Sequence, residues 1–255
     1  MSKTWEDIKE HNQSVWGEIF NQDTDTLIDN ILQGKDSIIE GDKDVIYAYN
    51  NSPRRNEISK FELSVLPEPY RGNLKDPKLV ILSLNPGYVE RLNRTLFEKL
   101  SKESQREFVD ALKRNVMLED GSKLVFNDVD EIIGDGYWSE KLAELKKIDS
   151  DLFSKIALIQ YNPYFSRKYS SWAGEGTLAS QQFAKEIIAR LMEQSDVQFL
   201  VMRSKKQWEQ LIGFNMDEDL RFILNHNPIC QSISKNNLDG NRGTNYYEQI
   251  KEALK

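Results

Sequence analysis

The sequence is poor in the residues that build metal and disulfide frameworks. Its one cysteine, Cys230, excludes an internal disulfide and any cysteine-clustered zinc or iron–sulfur site. Two histidines, His11 and His226, are too few for a multi-histidine metal centre. The longest apolar runs, such as Leu79–Leu82 and Val197–Met202, fall far short of the ~20 residues that a membrane-spanning helix needs. The opening residues 1–7 lack the apolar stretch of a signal peptide. Three motifs are also missing: the Gly-rich P-loop, the Gly-x-Gly-x-x-Gly dinucleotide turn and the Gly-x-Ser-x-Gly elbow. These absences lead us to expect a cytoplasmic protein without a membrane anchor, a resident metal or a cofactor.

Basic excess is missing too. Lys and Arg total 34 against 41 Asp and Glu, a net charge of −7, which by itself argues against a duplex-DNA binder. The charges are unevenly placed, however. Residues 161–172, 200–206 and 221–238 contain Arg167 and Lys168, Arg203, Lys205 and Lys206, and Arg221 and Lys235, with no acid among them. Arg71, Arg91, Arg94 and Arg242 lie nearby in sequence, and the acidic excess sits in the amino-terminal segment. A locally basic rim can hold phosphates on a chain of negative net charge.

What is present is a globular composition, 39% hydrophobic and 29% charged, long enough for one large domain over residues 1–255. Residues 5–34 read as two amphipathic helices, a helical extension over about residues 1–40, the second capped by Asp23 or Thr24. Val45–Tyr49 reads as a short strand, and Ser52-Pro-Arg-Arg-Asn56 as a turn. Leu66-Pro-Glu-Pro-Tyr-Arg-Gly-Asn73 is extended by its prolines. Four near-continuous apolar runs follow, at residues 78–84, 155–161, 197–202 and 221–224, the pattern of strands buried on both faces. Helical segments are expected at residues 88–112, 137–147, 180–193, 206–213 and 246–254. The alternation predicts a three-layer α/β/α fold around a central four-stranded, mostly parallel sheet.

In such a sheet, ligands bind beyond the carboxyl ends of the strands. The four ends are Asn85-Pro86-Gly87-Tyr88, Tyr161-Asn162-Pro163-Tyr164-Phe165-Ser166-Arg167, Arg203-Ser204 and Asn225-His226-Asn227-Pro228. They hold amides, hydroxyls, guanidinium groups and rings, and no Asp or Glu. Amides match the donor and acceptor edge of a planar heterocycle, and rings stack on its face.

Leu79-Val-Ile-Leu-Ser-Leu-Asn-Pro-Gly87 resembles the first motif of the uracil-DNA glycosylase superfamily, in branches where a strand ends in Asn-Pro-Gly. Asn227-Pro228, running on to Ser232-Ile233-Ser234, is similar to the second motif, which opens a loop that enters the minor groove. The wider pattern, including Val201-Met-Arg-Ser204 and Ser234-Lys-Asn-Asn-Leu238, looks most like a poorly characterised bacterial branch. The chain departs from the family pattern at Ser83, where a Gly is usual, and at Ile229, where a Ser usually follows the Pro. The stacking Phe of the family falls on Phe97 or is replaced by Tyr88.

The resemblance implies hydrolysis of the N-glycosidic bond of a damaged or modified base flipped out of DNA, in base-excision repair or in defence against phage DNA. In that scheme Asn85, Asn227 and His226 are the catalytic candidates. Asn85 orients water, because an amide takes no proton at neutral pH. Tyr88, Asn162, Tyr164 and Arg203 would contact the base, and Arg167, Lys168, Lys205, Ser232 and Lys235 the DNA. The alternative is a non-catalytic nucleic-acid or nucleotide binder on the same fold.

Overall fold

The structure is a computed structural model, and it describes residues 3–86, 97–119, 137–168, 177–226, 232–239 and 244–255. Asn227 and Tyr88, with Arg91, Arg94, Cys230 and Arg242, lie outside the described residues.

The sheet has five strands: β1 (Tyr70–Gly72), β2 (Leu79–Ser83), β3 (Ile156–Gln160), β4 (Gln198–Val201) and β5 (Phe222–Leu224), in the spatial order β1-β3-β2-β4-β5. β2 through β5 pair in parallel, as their apolar runs predict, and β1 joins β3 antiparallel with Tyr70 opposite Ile159. β1 is the strand that the sequence reading lacks. It is three residues long, follows two prolines and lies on an edge, so it carries none of the apolar run that marks a central strand.

Strand alternation divides the interior. Val80, Leu82, Ala157, Ile159, Phe199 and Val201 belong to one core cluster, and Leu79, Ile81, Ile156, Leu158 and Leu200 to another. The first is covered by α1 (Trp5–Phe20), α2 (Thr24–Leu32), α4 (Lys102–Val116), α8 (Ala179–Met192) and α9 (Lys205–Ile212). The second is covered by α5 (Tyr137–Lys141), α6 (Ala143–Lys146), α7 (Leu152–Lys155), α10 (Lys235–Leu238) and α11 (Tyr246–Leu254). These are the three layers, with the sheet in the middle.

The amino-terminal helices are part of this core. Ile8, Trp16, Phe20, Leu27 and Ile31 are buried in the same cluster as Val80 and Leu82. α1 begins at a capping box in which Thr4 accepts from the Asp7 amide, and α2 begins at Asp23, whose carboxylate accepts from the Thr26 amide at 2.9 Å.

Residues 43–50 correct the sequence reading, since they form a helix, α3 (Lys43–Asn50), and not a strand. Ile46 and Tyr49, three residues apart, turn inward together, a helical spacing that five residues of mixed apolar character do not reveal. The expected helix over 137–147 is two short pieces.

α8 starts in the interior, at Leu178, which has no side-chain acceptor to offer. Its open amides are met from elsewhere. Asp42, fully buried, accepts from the Ser180 amide at 3.2 Å, the Ser180 hydroxyl at 2.6 Å and the Tyr164 hydroxyl at 2.9 Å. The Gln181 carboxamide oxygen accepts from the Leu178 amide at 3.1 Å.

Candidate functional site

From β2 the chain passes to β3 on one side and then crosses to β4 on the other. The connections therefore diverge between the carboxyl ends of β2 and β4, where open parallel sheets form their binding crevice. The two flanking turns are Leu84-Asn85-Pro86 and Met202-Arg203-Ser204.

The ladder between β2 and β3 continues past both strands. Tyr161 N–H donates to Ser83 O at 2.9 Å, Asn162 N–H to Leu84 O at 2.7 Å and Ser166 N–H to Pro86 O at 3.4 Å. This lacing fixes the orientation of Asn85. Its Nδ2 donates to Pro86 O at 2.9 Å, to Ser166 Oγ at 2.9 Å and to Ser166 O at 3.4 Å. Carbonyl oxygens only accept, so the nitrogen must face them. Oδ1 is left with no donor among the described residues, on a side chain that is half-buried.

Ser166 also lines an open cavity of about 390 Å³, together with Glu57, Lys60, Phe61, Glu62 and Arg167. That is within the range of small-molecule sites. The cavity corrects the picture of an acid-free rim. Glu57 and Glu62 come from the segment before β1, which the strand-end rule does not cover. Glu57 is paired with Lys60 at 2.6 Å, and Glu62 accepts from the Ser64 amide at 3.1 Å. Glu62 N–H donates to Phe165 O at 2.8 Å, which fastens this segment to the end of β3.

Asn162 is completely buried. Its Oδ1 accepts from Gln181 Nε2 at 2.8 Å, and its Nδ2 is enclosed with no acceptor among the described residues. Gln160, one turn of the pleat earlier, likewise has a buried Oε1 without a donor. Such groups are rare in native interiors and each calls for a bound partner or water.

Other candidates serve the fold. Tyr164 is buried, with its hydroxyl on Asp42 and its ring 6.3 Å from that of Phe61, and burial pushes its pKa well above the usual tyrosine value. Phe97 is a core ring packed edge-on against Phe108 at 5.8 Å.

The basic rim is thinner than its sequence suggests. Lys205 bonds Asp217 at 2.5 Å and approaches Glu209 at 3.4 Å, and the Asp217 bond holds its pKa above the usual lysine value. Arg221 is clamped by Asp219, and Arg71 is buried in a pair with Glu68. Arg167 lines the cavity, and Lys168 and Lys206 are exposed without an ion pair among the described residues.

His226 belongs to a second group at the end of β5. Its amide donates to Asn237 O at 3.3 Å, Asn237 Nδ2 donates to Ser232 O at 2.8 Å, and its ring stacks on Tyr246 at 5.7 Å. Lys235, at the start of α10, is exposed nearby. β5 is two strands from β2, which at ~4.8 Å per strand sets His226 roughly 10 Å from Asn85 along the same edge.

Three residues carry no assigned role in the sequence analysis, although two of them, Ser166 and Ser204, stand in its strand-end segments. Ser204 adopts φ 58°, ψ 47°, a left-handed conformation outside glycine, where β4 turns into α9. Such conformations cost ~1–2 kcal/mol and collect at functional sites. Ser166 and Gln181 are the others. Position at a strand end marks Ser166 and Ser204 without giving them a role, Gln181 in a helical segment has no such mark, and Gln160 carries one as an amide interrupting an apolar run.

No family model, no curated protein and no solved structure matches this chain. Among the described residues no cluster of His, Cys, Asp and Glu could hold a metal ion, and no helix is long and apolar enough to cross a membrane.

Proposed function

We propose that the protein is a DNA glycosylase-like enzyme that hydrolyses the N-glycosidic bond of a damaged or modified base. One observation carries the reading: Asn85 is locked by Pro86 and Ser166 with its oxygen open, and Ser166 itself lines a cavity of about 390 Å³.

In this reading Asn85 Oδ1 accepts a hydrogen bond from water and points the water oxygen at the sugar C1′. As the C1′–N bond lengthens, its electron pair moves onto the base and the sugar becomes oxocarbenium-like. Water oxygen then bonds C1′, and its proton passes to solvent or to the departing base. Asn162 Nδ2, a buried donor, stabilises the charge growing on the base, and buried donors aimed at developing charge are the largest usual catalytic effect. His226 acts from the β5 side, and Asn227, next to it in sequence, is the further catalytic candidate. Arg167, Lys168 and Lys235 hold phosphates. Removal of a phage-modified base and repair of a damaged one share this chemistry.

The test is incubation with oligonucleotides carrying uracil, hypoxanthine or hypermodified cytosines, followed by detection of abasic sites. The reading expects strand cleavage on alkaline treatment for at least one substrate and its loss in Asn85→Ala. Folded protein that yields no product across the panel overturns it.

The second reading is a non-catalytic binder of nucleotide or nucleic acid. The acid pairing of Lys205, Arg221 and Arg71 favours its nucleotide form, because it leaves fewer cations for a long polyanion. Nucleotide binding without cleavage, retained in Asn85→Ala, would select it.

A further inference from the structure

Ser166 joins two parts of the molecule through a single hydroxyl. Asn85 Nδ2 donates to its Oγ at 2.9 Å, and an amide nitrogen has no lone pair to offer in return. The hydroxyl's own proton therefore needs another acceptor, and none of the described residues supplies one. Ser166 is 3% exposed, and the open space it adjoins is the cavity of about 390 Å³ that it lines. A buried donor without an acceptor is costly, so an occupant of the cavity gains by bringing one.

The rest of the lining narrows the occupant. Arg167 follows Ser166 in the chain, and a guanidinium has five donors, enough to serve an anion beside a protein partner. Lys60 gives one contact to Glu57 and keeps two further ammonium protons. Glu57 uses one oxygen in that contact, and Glu62 uses one on the Ser64 amide and hydroxyl. Each keeps a second oxygen that no described residue meets. Ile58 adds an apolar side chain that is 42% exposed. Two acids balance two bases, so a bare polyanion is poorly matched. A ligand with one anionic end, N–H or O–H groups and an apolar face fits, and a nucleoside monophosphate has all three.

The walls are preformed. Glu62 N–H donates to Phe165 O at 2.8 Å, and Lys168 N–H to Ile58 O at 2.9 Å. Asn50 clasps Phe61 from both sides: its Nδ2 donates to Phe61 O at 2.9 Å, and Phe61 N–H donates to its Oδ1 at 2.8 Å.

We propose that this cavity is a nucleotide subsite: Ser166 and Arg167 take the phosphate, Glu57 and Glu62 accept from donors of the nucleoside, and Ser166 carries occupancy to Asn85. A phosphate oxygen on the Ser166 proton stops the hydroxyl rotating and keeps its lone pair on Asn85 Nδ2. Asn85 Oδ1 then stays open. The site and its ligand stand on the lining, and only the catalytic meaning of the link to Asn85 rests on the glycosylase reading. The nucleotide is either free or one unit of a strand.

The experiment titrates the full chain, by calorimetry, with the deoxynucleoside 5′-monophosphates, their nucleosides, inorganic phosphate and a short single-stranded oligonucleotide. We expect a monophosphate or the oligonucleotide to bind, with nucleoside and inorganic phosphate each about tenfold weaker or more. Arg167→Ala weakens that binding about tenfold, and Ser166→Ala about fivefold. Arg54→Ala removes an exposed cation of the neighbouring turn that does not line the cavity, and leaves binding unchanged. In nitrogen-15 spectra the Asn85 side-chain amide, identified by its loss in Asn85→Ala, shifts when the tightest-binding probe is added to the wild type and stays in place in Ser166→Ala. Binding of monophosphates assigns the cavity to free nucleotide, and binding of the oligonucleotide alone assigns it to a unit of a strand. Four results overturn the inference: no binding, inorganic phosphate as tight as nucleotide, binding indifferent to Arg167→Ala and Ser166→Ala, or an equal loss in Arg54→Ala. An Asn85 signal that does not move overturns the link between the two sites. Intact nucleotide binding with no cleavage of any oligonucleotide fails the glycosylase reading alone.

Discussion

Asn85 shows how a side chain of modest chemistry becomes directional. An amide has two ends of similar size and opposite hydrogen-bond character, and its environment decides which end meets a ligand. Here the Pro86 carbonyl and Ser166 take the nitrogen, so the oxygen remains. The Ser166 hydroxyl is the weakest point in this arrangement, since it can itself rotate. Ser166→Ala should lower kcat by about tenfold with KM little changed, because the water is held less well and not because the base binds less tightly. Steady-state kinetics on the best panel substrate checks this, and thermal unfolding should show a loss of only ~1 kcal/mol. A fall confined to KM would place Ser166 in ground-state binding instead.

At the scale of elements, the start of α8 depends on a carboxylate from a distant part of the chain. Asp42 meets the Ser180 amide, the Ser180 hydroxyl and the Tyr164 hydroxyl, tying the segment before α3 to the turn after β3. Burial pushes its pKa above the ordinary aspartate value, and the bonds from Ser180 and Tyr164 offset only part of that. The folded value thus exceeds the unfolded one, near ~4, and protons bind the folded state more tightly. The contribution of Asp42 to stability is complete in acid and is lost as pH rises from the unfolded value through the folded one. Asp7, Asp23, Asp149, Asp196, Asp219 and Glu248 are shifted downward by hydrogen bonds and act in the opposite sense, so the whole protein need not follow Asp42. The difference between wild type and Asp42→Asn isolates it. Urea unfolding should show the wild type gaining on the variant between pH 7 and pH 4.5. A constant difference would mean that Asp42 titrates normally.

At the scale of the molecule, both faces of the sheet need cover. α1 and α2 provide part of it on one side, with Trp16 and Phe20 fully buried against the cluster that includes Val80 and Leu82. A chain beginning at residue 35 should therefore lose cooperative urea unfolding, while Trp16→Ala in the full chain should remain folded and lose about 3–5 kcal/mol. A truncated chain that unfolds cooperatively with an undiminished midpoint would make these helices an accessory. The same architecture arranges the candidate site. The strand order β3-β2-β4-β5 sets Asn85 between the ends of β3 and β4 and leaves His226 two strands away.

The sequence by itself determined the layers, because burial on both faces of a strand requires an unbroken apolar run and burial on one face of a helix requires a 3.6-residue period. It marked all four parallel strands and put Asn85, Asn162 and His226 at their carboxyl ends. It could not mark β1, whose edge position needs no such run, nor the helix at residues 43–50, too short for its period to show. Only the tertiary structure decided which polar groups are already engaged. Lys205, Arg71 and Arg221 read as open cations until Asp217, Glu68 and Asp219 are seen beside them, and Glu57 and Glu62 reach the rim from a segment that no strand rule includes. The polarity of Asn162 is likewise set by Gln181, 19 residues further along. Composition and period report what each segment buries, whereas the direction of a hydrogen bond depends on which groups the fold brings within 3 Å of one another.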